Sequence, residues 1–201
     1  IGAYLKTAAP EYLFTHLVSN KRGATLIEWE GGFYRAFHKI QGHALNVLEN
    51  ANQVKEAAQQ FGAFTHQLAP FNAHHLKDTL IDFHNLSLRF QQFKSALMNG
   101  NSKRLTQSKN AIAFLLDKQG ITNKYESFIK HPDVKKRVTH HDTKISNVLF
   151  NENEKAICVI DLDTTMAGYF MSDVGDMCRT CLCSVSEEEK DLNLIKVKAD
   201  R

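Results

Sequence analysis

Apolar residues recur at helical spacing over residues 49–69. Val54, Ala57, Ala58, Phe61, Phe64, Thr65 and Leu68 fall on one stripe, and Pro70 stops the run. The same period predicts helices over 86–98 and 103–116, parted by the breaker Asn99-Gly100-Asn101, with Gly120 closing the second. Residues 125–130 read as a short helical turn before His131-Pro132. Near the start, Pro10 stands in a tolerated first-turn position, and Leu13 and Leu17 predict a short helix over 10–19. Residues 25–30 and 33–40 read as two strands joined by Gly31-Gly32, with Trp29 and Tyr34 near the turn. The apolar run Ile157–Ile160 predicts a strand through 158–163, which would put Asp161 and Asp163 on one face and Ile160 and Leu162 on the other. A polar helix is expected over 187–198, with Leu192 and Ile195 on one side. Helices dominate, two small β elements accompany them, and no repeat is visible. The class this predicts is α+β.

Composition changes the picture little. The chain has 201 residues, 43% hydrophobic and 23% charged, with a formal net charge of +3. That is enough for one sizeable core, or one domain and part of another. The basic residues Arg89, Lys94, Lys103, Arg104 and Lys109 are spread around their helices, and no Lys/Arg block suggests nucleic-acid binding. No apolar run is long enough for a membrane span and no signal-peptide pattern is visible, so a cytoplasmic location is expected. Cys178-x-x-Cys181-x-Cys183 lacks the second, separated pair that a zinc site needs, and Cys158 sits in an apolar strand; all four read as packing thiols. His74 and His75 are adjacent and would face apart on any regular element, so a metal there is not expected either. Asp82, His84 and Asn85 read as a solvated turn.

The stretch 138–163, VTHHDTKISNVLFNENEKAICVIDLD, carries the chemistry. His140, Asp142, Lys144 and Asn147 crowd into one short loop, and Asp161 and Asp163 follow the apolar run. Phosphoryl transfer needs a carboxylate to take the proton of an attacking hydroxyl, and hard oxygen ligands for Mg²⁺ on a nucleotide's phosphates. Asp142 suits the base. Asn147 and Asp161 suit the metal, Asp163 shares that face, and Lys144 suits the charge on the transferred group. An HxD alone would be an ordinary polar turn. HxDxKxxN followed by a separate strand-borne Asp matches the kinase catalytic loop and metal-binding acid. The chain reads DLD where protein kinases carry DFG, and it lacks an APE-type segment, which favours a small-molecule kinase.

These motifs resemble the aminoglycoside-phosphotransferase-like small-molecule kinases, which have a protein-kinase-like fold. More narrowly, RVTHHDTKISNVLF, CVIDLDTTMAG and SDVGDMCRT resemble the N-acetylhexosamine 1-kinase branch, as do YRAFHKIQG, AAQQFGAFTHQL and DFHNLSLRF. The resemblance implies ATP and Mg²⁺ as cofactors and the anomeric hydroxyl of an N-acetylated amino sugar as acceptor. It implies Asp142 as general base, Asn147 and Asp161 as metal ligands, and Asp173 as a structural acid steadying the loop. Asp173 or Ser172 would also cap the helix that follows. DFHN would lie on the substrate side of the large lobe. Residues 1–41 would be the truncated end of an N-terminal nucleotide-binding lobe, 41–47 the hinge at the adenine ring, and 42–201 a catalytic lobe incomplete at its end. The chain starts at Ile1, and nothing before residue 40 offers a phosphate-covering loop or its Lys, so the fragment alone is expected to be inactive. Choline, homoserine, methylthioribose and aminoglycoside kinases share the loop, and a catalytically silent binding module is the alternative of another class. A choline site would want an aromatic cage and an aminoglycoside site a strongly acidic cleft; one Trp and a slightly basic balance favour neither.

Overall fold

The computed structural model describes residues 1–183, 185–186, 188–191 and 193–197. The chain divides into two units, residues 1–79 with 137–201, and residues 80–136.

The first unit begins with α1 (Gly2–Ala8), which buries Leu5. Pro10 ends this helix and does not open another. The residue before a proline is pushed off the α region, and Ala9 sits at φ −146°, ψ 65°. Residues 10–19 are therefore a turn and an extended segment instead of the expected helix. β1 (Leu17–Val18) pairs antiparallel with β4 (Ala36–Phe37), and between them β2 (Ile27–Trp29) and β3 (Gly32–Tyr34) form a hairpin. Its turn is Glu30-Gly31, one residue earlier than expected. Both residues have positive φ, 48° and 75°, as a two-residue turn between right-twisted strands requires. β5 (His43–Ala44) then leads to α2 (Ala51–Gln67).

α2 is the helix most plainly written in the sequence. Asn50, in extended conformation, caps it by accepting the Gln53 N–H at 3.0 Å, and Gln53 in turn accepts the Glu49 N–H at 2.8 Å. Its buried face is Gln53, Glu56, Ala57, Phe61, Phe64, Thr65 and, just past the end, Leu68. Phe64 is fully buried, worth roughly 1.5–3 kcal/mol of apolar burial.

The second unit holds α3 (Leu86–Asn99), α4 (Ser102–Gln107), α5 (Lys109–Asp117) and α6 (Gly120–Ile129). Asn85 and Asn101 cap α3 and α4. The helix expected over 103–116 is broken at Ser108, whose φ −96°, ψ 12° leaves the α region. Gly120 opens a helix where it was expected to close one, and the turn expected at 125–130 is the end of that ten-residue α6. A glycine near a helix terminus costs little, so its position alone does not tell a start from a stop. α6 packs on α3, buries Tyr125, and carries Glu126, which accepts a hydrogen bond from Ser87.

Back in the first unit, β6 (Arg137–Thr139) pairs with β9 (Met166–Gly168), and β7 (Val148–Phe150) lies between β5 and β8 (Ala156–Val159). The last helix is α7 (Phe170–Cys181). α2 covers β8, and Phe61, Phe64, Val148, Phe150 and Val159 form the centre of the core. The β elements are more numerous than the two expected, but each is only two to four residues long. β8 stops at Val159, so Asp161 and Asp163 do not alternate along a strand as expected. Asp161 is left-handed at φ 58°, ψ 64°, and Asp163 belongs to a single 3-10 turn, Leu162–Thr164. Of the helix expected over 187–198, Glu187, Leu192 and Lys198 lie outside the described residues. The described remainder is turns and an isolated bridge between Cys183 and Val197.

Candidate active site

Two loops run side by side because they span the same two ladders. One leaves β6 and enters β7, carrying residues 140–147. The other leaves β8 and enters β9, carrying residues 160–165. The first is anchored from below by α7. The Asp173 carboxylate accepts the backbone N–H groups of His140 and His141, each at 2.8 Å, and its carbonyl accepts the Thr143 hydroxyl at 2.7 Å. Asp173 is 3% exposed, and burial pushes its carboxyl above the ordinary range, opposed by the two N–H donors. α7 starts at Phe170 with Tyr169 at its N-cap, so neither Ser172 nor Asp173 caps it. Asp173 is spent wholly on the loop.

The second loop is tied to the first through His140, which is fully buried with its ring edge-on to Phe61 and Phe64 of α2, at 5.5 and 6.0 Å. Nδ1 receives the Asp142 N–H at 3.3 Å, so the ring proton sits on Nε2 and is donated to the Ile160 carbonyl at 2.9 Å. The Thr164 hydroxyl donates to the His140 carbonyl at 2.7 Å, and the Ile160 N–H donates to the Asn147 carbonyl at 2.9 Å. His141 is left-handed at φ 69° and lies against Gly168. A Cβ at Gly168 would stand 2.4 Å from the ring's Cε1, so only glycine fits there.

The structure brings Asp142, Lys144 and Asn147 together. Asn147, 3% exposed, donates from Nδ2 to the Asp142 carbonyl and to its Oδ2, both at 2.9 Å, and Lys144 Nζ lies 3.2 Å from that same Oδ2. Asp142 is thereby held in one rotamer while a quarter of its side chain stays exposed. With both Nδ2 hydrogens given to Asp142, the Asn147 amide oxygen is the atom left to meet a cation. Asp161 follows Ile160, which is hydrogen-bonded to Asn147, and its carboxylate is exposed. These are hard oxygen donors with no sulfur or imidazole among them, which fits Mg²⁺. Asp163 stands apart. It pairs with Arg35 at a cavity of about 790 Å³ that Lys6, His16, His38 and Thr165 also line. A second cavity of about 680 Å³ includes Lys144, Ile145 and Ser146 in its wall. Among the described residues no group of three His, Cys, Asp or Glu side chains could hold a metal; the four cysteines are free thiols, and burial raises the pKa of Cys181 and pushes that of Cys158 to about 12. Asp82 and Asn85 hydrogen-bond each other at 2.9 Å within the second unit, as a turn should.

Sequence reasoning missed Thr143, Thr164, Gly168 and Arg35. The two threonines bond backbone carbonyls, and the glycine leaves room for the His141 ring; only the folded chain brings these groups near, so no spacing in the sequence announces them.

A profile of the phosphotransferase enzyme family, APH, matches residues 6–195. The chain belongs to that family. Among solved structures, the chain resembles an aminoglycoside phosphotransferase from Alicyclobacillus acidocaldarius (TM-score 0.60, 15% identity, 88% of this chain and 56% of that one). It also resembles APH(2")-IIia solved with GDP and kanamycin (0.56, 16%, 89% and 59%) and spectinomycin phosphotransferase APH(9)-Ia solved with ADP and spectinomycin (0.56, 18%, 86% and 54%). The chain thus has the protein-kinase-like fold of these enzymes, and it spans between half and three-fifths of their length. Among its described residues no helix is long and apolar enough to cross a membrane.

Proposed function

We propose that this phosphotransferase transfers a phosphoryl group from Mg²⁺-bound ATP to a hydroxyl of a small molecule, with Asp142 as the base. The observation that carries this reading is the fixed Asp142 carboxylate, held by Asn147 at 2.9 Å and faced by Lys144 at 3.2 Å on a loop bolted to Asp173. A base must be aligned with the hydroxyl it serves, and most of the rate gain in phosphoryl transfer comes from alignment and charge neutralisation. As the acceptor oxygen bonds to the γ-phosphorus, the bond from that phosphorus to the bridging oxygen breaks and ADP leaves, while Asp142 receives the acceptor's proton. Lys144 offsets charge on the transferred group.

Asn147 and Asp161 would hold Mg²⁺. One or two protein oxygens are what Mg²⁺ usually takes when nucleotide phosphates and waters supply the other ligands. When bound, the ion would neutralise phosphate charge and orient the transferred group. The cavity at Asp163, with Arg35 and Lys6 in its wall, has the charge to receive those phosphates. In this reading residues 1–41 end a nucleotide-binding lobe, 41–47 form the hinge, and 42–201 belong to the catalytic lobe. The protein would act in the cytoplasm. The finer acceptor is the anomeric hydroxyl of an N-acetylhexosamine, supported by the motif resemblance alone.

The test is ADP release by the protein carrying this chain, offered ATP, Mg²⁺ and a panel: N-acetylglucosamine, N-acetylgalactosamine, plain hexoses, choline, homoserine and an aminoglycoside. Turnover confined to the N-acetylated sugars supports the narrow reading. Turnover with another member keeps the kinase and discards the sugar. ATP binding without any turnover favours the silent module.

A further inference from the structure

Resting on that reading, we propose that Arg35 is a phosphate-binding residue of the site, and that the nucleotide's phosphates take it from Asp163 by exchange. In that reading Arg35 belongs to the nucleotide-binding lobe and Asp163 to the catalytic lobe, so their ion pair bridges the cleft where phosphates are expected. Both line the cavity of about 790 Å³, and Asp163 stands two residues from Asp161, in the 3-10 turn that Asp161 precedes. The pair is weak enough to exchange. Its two side chains are 44% and 57% exposed. An ion pair so open to water shifts an equilibrium by no more than about fivefold. The hydrogen bond to Asp163 also uses Nη2 alone. A phosphate offers the guanidinium fork several charged oxygens, and such pairs are commonly bidentate. The fork is backed by the Phe37 ring, whose centroid lies 5.2 Å from Cζ.

A second observation points to the same occupant. The Thr165 hydroxyl belongs to a residue on the wall of this cavity that is 7% exposed, and it has no hydrogen-bond partner among the described residues. A buried hydroxyl left unmatched is costly, and an oxyanion in the cavity supplies the acceptor it lacks. Among the lysine, arginine and acidic side chains of the wall, Arg35 and Asp163 cancel and Lys6 adds one charge. Recognition therefore turns on the exchange and not on a standing positive surface. Once Arg35 turns to the phosphate, Asp163 is left as a bare carboxylate beside an anion, which repels it. Asp163 thus competes with the phosphates for Arg35 and opposes them after it has let go.

The experiment is a calorimetric titration of the full chain with tripolyphosphate, without Mg²⁺, in about 0.15 M salt to screen surface attraction. NMR spectra of the same titration locate the anion. We expect the Arg35 Nε–H and the Thr165 amide to shift. Arg35→Gln should bind about tenfold more weakly, with Arg35→Lys in between. Asp163→Asn should bind more tightly by about threefold or more, and this gain should shrink when Arg35→Gln is also present, since no pair then has to break. Both side chains are exposed, so all four variants should keep the native amide spectrum away from the cavity. Binding by Arg35→Gln within about twofold of native, an Asp163→Asn variant that binds no more tightly, or no shift at Arg35 and Thr165, overturns the inference. None of these results depends on turnover, so the kinase reading stands or falls separately, on ADP release and its loss in Asp142→Asn.

Discussion

Asp173 is where a single side chain carries the most of the site's geometry. Its carboxylate satisfies two buried backbone N–H groups, those of His140 and His141. Asp173→Ala leaves both donors without a partner in a place water does not reach. Each such loss costs about 1–3 kcal/mol, or about 4 kcal/mol for the two. Removing the carboxylate returns part of this, because burial opposes ionisation there. We therefore expect a net loss of about 3 kcal/mol for alanine. Asp173→Asn keeps one accepting oxygen but turns an amide NH₂ toward the second donor, so it should lose about 2 kcal/mol.

The same burial sets a pH trend. An acid whose folded pKa is raised binds its proton more tightly when folded. The stability that proton binding confers is present at low pH and is lost as pH rises from the ordinary 3.8 through the raised value. Asp173→Asn cannot titrate and should lack that decline. The assay is urea unfolding followed by far-ultraviolet circular dichroism, since Trp29 is 63% exposed on the hairpin and would report poorly. Amide hydrogen exchange at His140 and His141 adds the local readout. An alanine variant that loses under about 1 kcal/mol, with protection at those two amides unchanged, would refute the claim that Asp173 holds the loop.

Gly168→Ala would put a methyl group against the His141 ring, and the overpacking should cost about 1–3 kcal/mol in the same urea assay; a neutral effect would mean the ring moves freely. Glu56 is held below its ordinary value of 4.5, first by the hydrogen bond from Lys155 at 2.6 Å. Its contribution is present above pH 4.5 and is lost as pH falls through the depressed value, so unfolding midpoints of Glu56→Gln should depend less on pH on the acid side than those of the native chain. Parallel acid-side slopes would remove Glu56 from the account.

The loop of residues 140–147 was legible because its residues are neighbours in the chain: HxDxKxxN keeps Asp142, Lys144 and Asn147 within five residues of one another, and the fold brings their side chains together. α2 was legible for a similar reason, having a strong period and a terminal proline, while its Asn50 cap was seen only in the fold. Asp161 was expected on a strand, sharing a face with Asp163, and the fold does not put it there. Alternation along a strand was expected, whereas a left-handed residue after β8 turns the chain, and left-handed Asp leaves no signature that tells it from Asp in a strand. Pro10 and Gly120 each punctuate a helix, yet the sequence does not say from which side. Arg35 and Asp163 lie far apart in the chain, and the ion pair between them could be read only from the fold.

The most direct test of the central claim is steady-state ADP release by Asp142→Asn, measured beside nucleotide affinity with an acceptor that turns over in the native protein. Asparagine keeps the shape and the contact with Asn147 but cannot take a proton. The account predicts that kcat falls by about 10²–10⁴-fold while ATP binds as before. Turnover within about threefold of the native value, with nucleotide affinity unchanged, would contradict it.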